Sequence, residues 1–219
     1  MWPQNGTVDL PNEAYTLYYS DNKGWAEPIR LLFAFARMPY DDRRLTHERW
    51  LAMKPETVMG VLPILEVDGE KQLCQTGAIC RYLGKKFGLA GDDDWTEAYV
   101  DMMASGCLNL FSHLQPYLAL VAAGKEKEAQ QSFAKVNDDH IQPFLRAYKA
   151  LMAANGPPGC YVTGNKPTYA DFVLMHVMDV LETHVPHVVK AHPVLVHRQR
   201  MAQLPGVNQW LAARPDTPF

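Results

Sequence analysis

GVLPILEVDGEKQLCQTGAICRYL, residues 60–83, decides how the chain is read. The apolar run Ile64-Leu65-Glu66-Val67 breaks at Asp68-Gly69, resumes through Gln72-Leu73-Cys74, and gives way at Gln75-Thr76 to apolar residues at helical spacing. That order predicts strand, turn, strand and helix. Pro63 stands at the mouth of a strand, where no ladder donor is required. A cis Leu62-Pro63 bond would turn the Leu62 backbone outward, and a ligand could pair with it as an added strand. Thr76 is read as the helix N-cap, and the free amides and dipole of that helix end suit a carboxylate or phosphate. Together these features select a peptide-like anion.

Upstream, residues 1–14 carry Gly, Pro and Asn without periodicity and are read as an irregular tail. Tyr15-Thr16-Leu17-Tyr18-Tyr19 is aromatic and β-branched, which suits a strand. Trp25 to Arg37 places Ile29, Leu32 and Phe33 at helical intervals, with Pro28 in the first turn. A short strand over Asp41 to Leu45 and a helical turn over His47 to Met53 complete a β-α-β-α-β-β-α order. From Trp95 onward strand-like alternation is absent. One long helix is predicted to bend or end at Pro116, a second over Glu126 to Ala154 kinks at Pro143, and a third opens at Thr168-Tyr169-Ala170-Asp171. Two shorter helices cover His192 to Gln203 and Val207 to Ala213. The expected organisation is an α/β module over residues 15–91 followed by an all-helical module over residues 95–219.

Length and composition agree with a soluble globular protein of this size, at 219 residues with 47% hydrophobic and 21% charged residues. A net charge of -3 without any basic run gives no support to a nucleic-acid surface. No apolar run reaches the roughly 18 to 20 residues a membrane span needs, and the amino terminus lacks the pattern of a secretory signal, so a cytoplasmic protein is expected. Cys74, Cys80, Cys107 and Cys160 form no C-x-x-C pair and are read as buried thiols. The eight histidines form no ligand array, so no metal is expected.

Tyr18 and Tyr19 end the first strand beside a loop containing Gly24. Neighbours in a strand face opposite sides, so one of the pair can face a ligand. A phenol there can donate to a thiolate and lower its pKa from a free value of about 8.5. Glu27 and Arg30 stand three apart on one helical face, the spacing of an ion pair. Trp50 and Lys54, one turn apart, offer an indole donor and an ammonium to a carboxylate. Thr168 and Asp171 form a capping-box pattern.

Taken together, YTLYY, GWAEPIR, Trp50 with Lys54, LPILEVDG, QTGAICRYL, GNKPTYADF and the ending VNQWLAARPDTPF resemble the cytosolic glutathione S-transferases. The closest likeness is to the sigma class, which includes the glutathione-dependent prostaglandin D synthases. The likeness covers Tyr15 to Phe219 and implies a thioredoxin-like glutathione-binding domain followed by an all-helical domain. It also implies Tyr19, not Tyr18, as the thiolate stabiliser, because the family tyrosine lies five positions before the loop glycine. Trp50 and Lys54 would hold the glycyl carboxylate, Leu62 before Pro63 the cysteinyl backbone, and Gln75 and Thr76 the γ-glutamyl end. Trp25 and Asn109 fall at further glutathione-binding positions where the family often has an arginine and an acidic residue. Tyr18, Ser20, Phe111 and Phe219 would line the pocket for the second substrate. Threonine replaces the family's usual serine at Thr76, and Val58-Met59 stands where an aromatic dimer key precedes Gly60 in relatives.

The resemblance implies a homodimeric transferase that uses glutathione as co-substrate, without metal, and adds its thiolate to small hydrophobic electrophiles. Isomerisation or peroxide reduction would use the same thiolate. A crystallin-like or ligand-carrying relative would keep the fold without Tyr19, Lys54 and Gln75 all in place. A thiol-disulfide oxidoreductase is disfavoured, since Tyr19-Ser20 brings no cysteine to the end of the first strand.

Overall fold

Strand β1 (Tyr15–Ser20) is central in a four-stranded sheet of order β2-β1-β3-β4. The structure, a computed structural model, describes residues 13–157, 160–190 and 192–218. β2 (Asp41–Leu45) runs parallel to β1, whereas β3 (Ile64–Val67) runs antiparallel to β1 and pairs antiparallel with β4 (Lys71–Cys74). Tyr15, Leu17, Tyr18 and Tyr19 are all buried, as expected for a strand with neighbours on both sides. The β3–β4 turn has Asp68 and Gly69 both left-handed, at φ 55 and 71, which is why an Asp-Gly pair marks it.

Helix α1 (Glu27–Ala36) carries Pro28 in its first turn and stops at Arg37, whose left-handed backbone donates to the Ala34 and Phe33 carbonyls. It buries Ile29, Leu31, Leu32 and Phe33, and Phe33 stacks on Tyr40 at 4.3 Å. α2 (His47–Met53) is capped by the Thr46 hydroxyl, which accepts from the Arg49 amide. α3 (Thr76–Lys86) buries Ile79, Cys80 and Leu83 and packs beside α1. With these elements the first unit is a thioredoxin-like fold.

The chain separates into two compact units, Met1–Asp92 with Met201–Phe219, and Asp93–Arg200. The segment from Met201 thus clusters with the sheet rather than with the helices that precede it in sequence. The reason lies in α10 (Val207–Ala213), which packs on α1. Gly206, at φ 84, lets it approach so closely that a side chain there would meet the Ala34 carbonyl. At the other end, Glu13 and Ala14 are tied down. Glu13 accepts from Tyr15, Tyr82 and Lys86, and Ala14 exchanges backbone and side-chain bonds with Asp68.

In the helical unit α4 (Asp94–Ala122) begins on an Asp93 cap and runs through Pro116 without ending. Proline there removes the donor to the Ser112 carbonyl, but Ser112 is exposed and water can take its place. The expected single helix with a kink at Pro143 is instead α5 (Glu126–Val136), a π-helical turn (Asn137–Ile141) and α6 (Gln142–Asn155). Pro143 is the second residue of α6, directly after the π-helical turn, and its missing amide is one that an uninterrupted α-helix would have used. α7 (Tyr169–His184) is buried from Tyr169 to Leu181 and is the core of this unit, with α8 (Pro186–Val189) and α9 (Val194–Ala202) after it. Its Thr168–Asp171 capping box is formed. Among the described residues no helix is long and apolar enough to cross a membrane.

Candidate active site

The end of β1 brings Tyr19 against the loop that follows. Tyr19 is 8% exposed, and its hydroxyl oxygen accepts from the Trp25 amide at 3.0 Å. Gly24, at φ 37, makes this approach possible: a Cβ there would lie 2.5 Å from the Tyr19 hydroxyl and 2.6 Å from Asn22 Oδ1. With the amide filling one acceptor position, the phenol proton is left to point elsewhere, and among the described residues no acceptor takes it. Burial raises the Tyr19 pKa above its ordinary value, while the Trp25 amide and the nearby Arg30 guanidinium pull in the opposite direction. Arg30 lies 5.9 Å from the centre of the Tyr19 ring.

Trp25 also connects this loop to α3. Its carbonyl accepts from the Thr76 hydroxyl at 2.8 Å. Thr76 is therefore not the helix N-cap expected from the sequence but the first helical residue, with its hydroxyl committed to the loop. The cap is Gln75, exposed and held at φ 74, ψ 117 without a side-chain cap bond. A non-glycine residue there carries strain of about 1–3 kcal/mol, of the kind that clusters at ligand clamps. The open amides of α3 lie directly after it.

The Leu62–Pro63 peptide is cis and leads into β3. Half-buried Trp50, with Leu45, Met53 and Leu62, packs on a buried cluster of Tyr18, Ile64 and Cys74. Lys54 is exposed and starts a 3-10 turn, Lys54–Glu56, and its alkyl chain passes Gly60. Tyr18 occupies the opposite face of β1 from Tyr19, where its hydroxyl donates to Glu66 at 3.2 Å. Its hydroxyl is bonded to Glu66 and its ring packs with Ile64 and Cys74. Ser20 is half-exposed at the strand end.

In the helical unit Asn109 is exposed on α4, while Asp101 on the same helix accepts from the Tyr169 hydroxyl. Phe111 is buried edge-on to His176, so its ring belongs to that unit's core rather than to a free surface. Phe219 lies outside the described residues. All four cysteines are free and buried, and burial pushes the Cys107 thiol up to about 12. No group of three or more His, Cys, Asp and Glu side chains is gathered for a metal among the described residues.

Sequence reading left Glu27 and Arg30 as a local pair and missed the network they anchor. Glu27 is 1% exposed, and its Oε1 accepts from Trp210 Nε1 and Arg214 Nη1, each at 2.8 Å. Its Oε2 faces Arg30 Nη1 at 3.4 Å. Arg30, fully buried, also donates to both Asp42 oxygens at 3.2 Å and to the Asn22 carbonyl at 2.8 Å. Burial alone would raise the Glu27 pKa, but Trp210, Arg214 and Arg30 outweigh it and hold the carboxyl below its ordinary value. No local periodicity could reveal partners so far along the chain.

This geometry has counterparts among known proteins. Residues 13–85 match the glutathione S-transferase N-terminal domain, and residues 113–214 match the glutathione S-transferase C-terminal domain. Glutathione S-transferase 1 of Ascaris suum is 35% identical over 210 residues, covering 94% of this chain and 98% of that one. A crystal structure of the glutathione S-transferase from Ascaris lumbricoides is 34% identical with a TM-score of 0.83, covering 94% of this chain and all of that one. The structure of prostaglandin synthase D of Nilaparvata lugens is 27% identical with a TM-score of 0.80, covering 92% and 98% respectively. With both domain types matched in order and a relative of this identity aligned almost end to end, the chain belongs to the glutathione S-transferase family.

Proposed function

We propose that this protein conjugates glutathione to small hydrophobic electrophiles, with Tyr19 as the donor that stabilises the glutathione thiolate. The observation that carries this reading is the Tyr19 hydroxyl itself. Its oxygen takes the Trp25 amide at 3.0 Å, which leaves its proton available to a sulfur anion. A hydrogen bond to the charged form lowers the thiol pKa, so more thiolate is present near neutral pH. The rest of the rate enhancement comes from holding both reactants in place.

In this proposal Trp50 and Lys54 receive the glycyl carboxylate, and the Leu62 backbone before Pro63 pairs with the cysteinyl unit. Gln75 and the first amides of α3 receive the γ-glutamyl carboxylate. Because the Thr76 hydroxyl is bonded to Trp25, its contribution to the ligand is its backbone amide. Ser20 is the pocket residue nearest the chemistry in sequence. Homodimerisation with Asn109 serving the partner's ligand, cytoplasmic location and membership of the sigma class extend the proposal. The last is supported by the quoted motifs and by the likeness to prostaglandin synthase D.

The test is steady-state conjugation of a chromogenic aryl halide by wild type and Tyr19→Phe, alongside ultraviolet titration of bound glutathione. Loss of the hydroxyl should lower kcat/KM by about tenfold to a hundredfold, the worth of one hydrogen bond to a charged group, and raise the pH at which the thiol ionises. Equal rates and equal ionisation in the two proteins would overturn the mechanism.

A further inference from the structure

Arg30 is bonded unevenly. Its Nε and Nη1 are satisfied by Asp42, the Asn22 carbonyl and Glu27, while Nη2 is buried without a partner. A guanidinium placed only to hold the fold together would be expected to use its whole fork, since an unpaired buried donor is costly. This one keeps an unpartnered donor, with the guanidinium carbon 5.9 Å from the centre of the Tyr19 ring. Its contact with Glu27 is shaped from α10 and the residue after it, because Trp210 and Arg214 take Glu27 Oε1 and leave Oε2 to Arg30. The chain's last described residue adds a second tie, since the Pro218 carbonyl accepts from the Lys23 amide in the loop that ends at Gly24.

We propose that α10 is a positioning element for the Tyr19 phenol: Arg214 and Trp210 hold Glu27, Glu27 and Asp42 hold Arg30, and Arg30 strengthens the phenol as a donor to a thiolate. The inference rests on Tyr19 being that donor. The charged and titratable groups that bear on it come from every neighbouring element. They are Glu27 and Arg30 on α1, Asp42 and Arg44 on β2, Tyr40 just before β2, Asp21 in the loop, and Arg214 after α10. Among these described groups the three guanidinium groups equal the three carboxylates in number. Removing the Arg214 charge leaves the cluster net negative and releases Glu27 to neutralise Arg30 more fully. Both effects make the field at Tyr19 less favourable to negative charge.

The experiment follows the pH dependence of kcat/KM with a chromogenic aryl halide, and the ultraviolet titration of bound glutathione, in six proteins. These are wild type, Arg214→Met, Arg214→Lys, Trp210→Phe, Tyr19→Phe and the double variant Tyr19→Phe/Arg214→Met, each with its melting temperature. Arg214→Met should raise the pH of thiol ionisation by about half a unit to one unit, and Arg214→Lys should restore most of it. In the Tyr19→Phe background Arg214→Met should add nothing. Trp210→Phe keeps a ring but removes one donor to Glu27. It should move the midpoint the same way by a smaller amount, and it decides the question if Arg214→Met does not fold. The inference is overturned if Tyr19→Phe moves the midpoint while Arg214→Met and Trp210→Phe lower only melting temperature or KM. If Tyr19→Phe itself leaves the midpoint in place, the thiolate role fails first and the α10 role with it.

Discussion

A methyl group added at Gly24 would have to displace either the Tyr19 hydroxyl or Asn22, and it would do so on a backbone at φ 37 that a side chain resists. Gly24→Ala should therefore reduce kcat/KM by about tenfold or more, because the phenol loses its alignment with the Trp25 amide. The backbone conformation adds a stability cost of about 1–2 kcal/mol. Steady-state kinetics with a denaturant melt check both parts, and an unchanged kcat/KM would show that the approach of Gly24 to Tyr19 is not what sets the phenol. At this scale sequence reading was uneven for a physical reason. The proximity of Tyr19 to a glycine loop is local and could be read from spacing. The Thr76 hydroxyl could be mistaken for a cap because its actual acceptor, the Trp25 carbonyl, is supplied by a different element.

At the scale of elements, the start of α7 is tied down by one side chain. Asp171 is fully buried and accepts from the Thr168 amide and hydroxyl and from the Val162 amide, and its Oδ1 lies 2.8 Å from His197 Nε2. Asp171→Ala would leave several buried donors without an acceptor, and should destabilise the protein by about 3–5 kcal/mol. Urea unfolding at neutral pH measures this, and a loss under about 1 kcal/mol would mean that water or a shifted loop replaces the carboxylate. The capping box was legible because it is a four-residue pattern. The Val162 and His197 contacts were not, since they arrive from a loop and from α9. The division of α5 from α6 by a π-helical turn likewise escapes apolar periodicity, which continues through it with only a small change of phase.

For the whole molecule, acid stability should report the Glu27 network. Its carboxyl titrates below its ordinary 4.5 in the folded protein and near 4.5 once unfolded. The unfolded state therefore binds the proton first as pH falls. The stabilisation is complete above about pH 4.5 and is lost below it, down through the folded value. Glu27→Gln should be less stable than wild type by about 3 kcal/mol at pH 7, because it removes a buried negative charge that fully buried Arg30 and partly buried Arg214 both face. The gap should narrow as pH drops from 4.5 toward 3. Glu13, also held low by Lys86 and Tyr15, titrates in both proteins and cancels from the comparison. Parallel stability curves from urea melts at each pH would contradict this. The α/β-then-helical order was visible in the sequence because each unit has its own periodicity, period 2 mixed with helix and then helix alone. The return of the last segment to the first unit was not, because α10 looks like any other short helix until Trp210 and Arg214 are seen on Glu27.

That return has a consequence for how the protein is made. Synthesis runs from the amino terminus, and domains tend to fold as they emerge. Here the sheet unit cannot finish when Asp92 leaves the ribosome, because its closing pieces lie beyond Arg200. While Asp93–Arg200 is being translated, Glu27 has Arg30 but neither Trp210 nor Arg214, and the surface of α1 around Ala34 lacks the Gly206 turn that will cover it. The nascent sheet unit is therefore a provisional structure until the segment from Met201 onward has emerged to complete it.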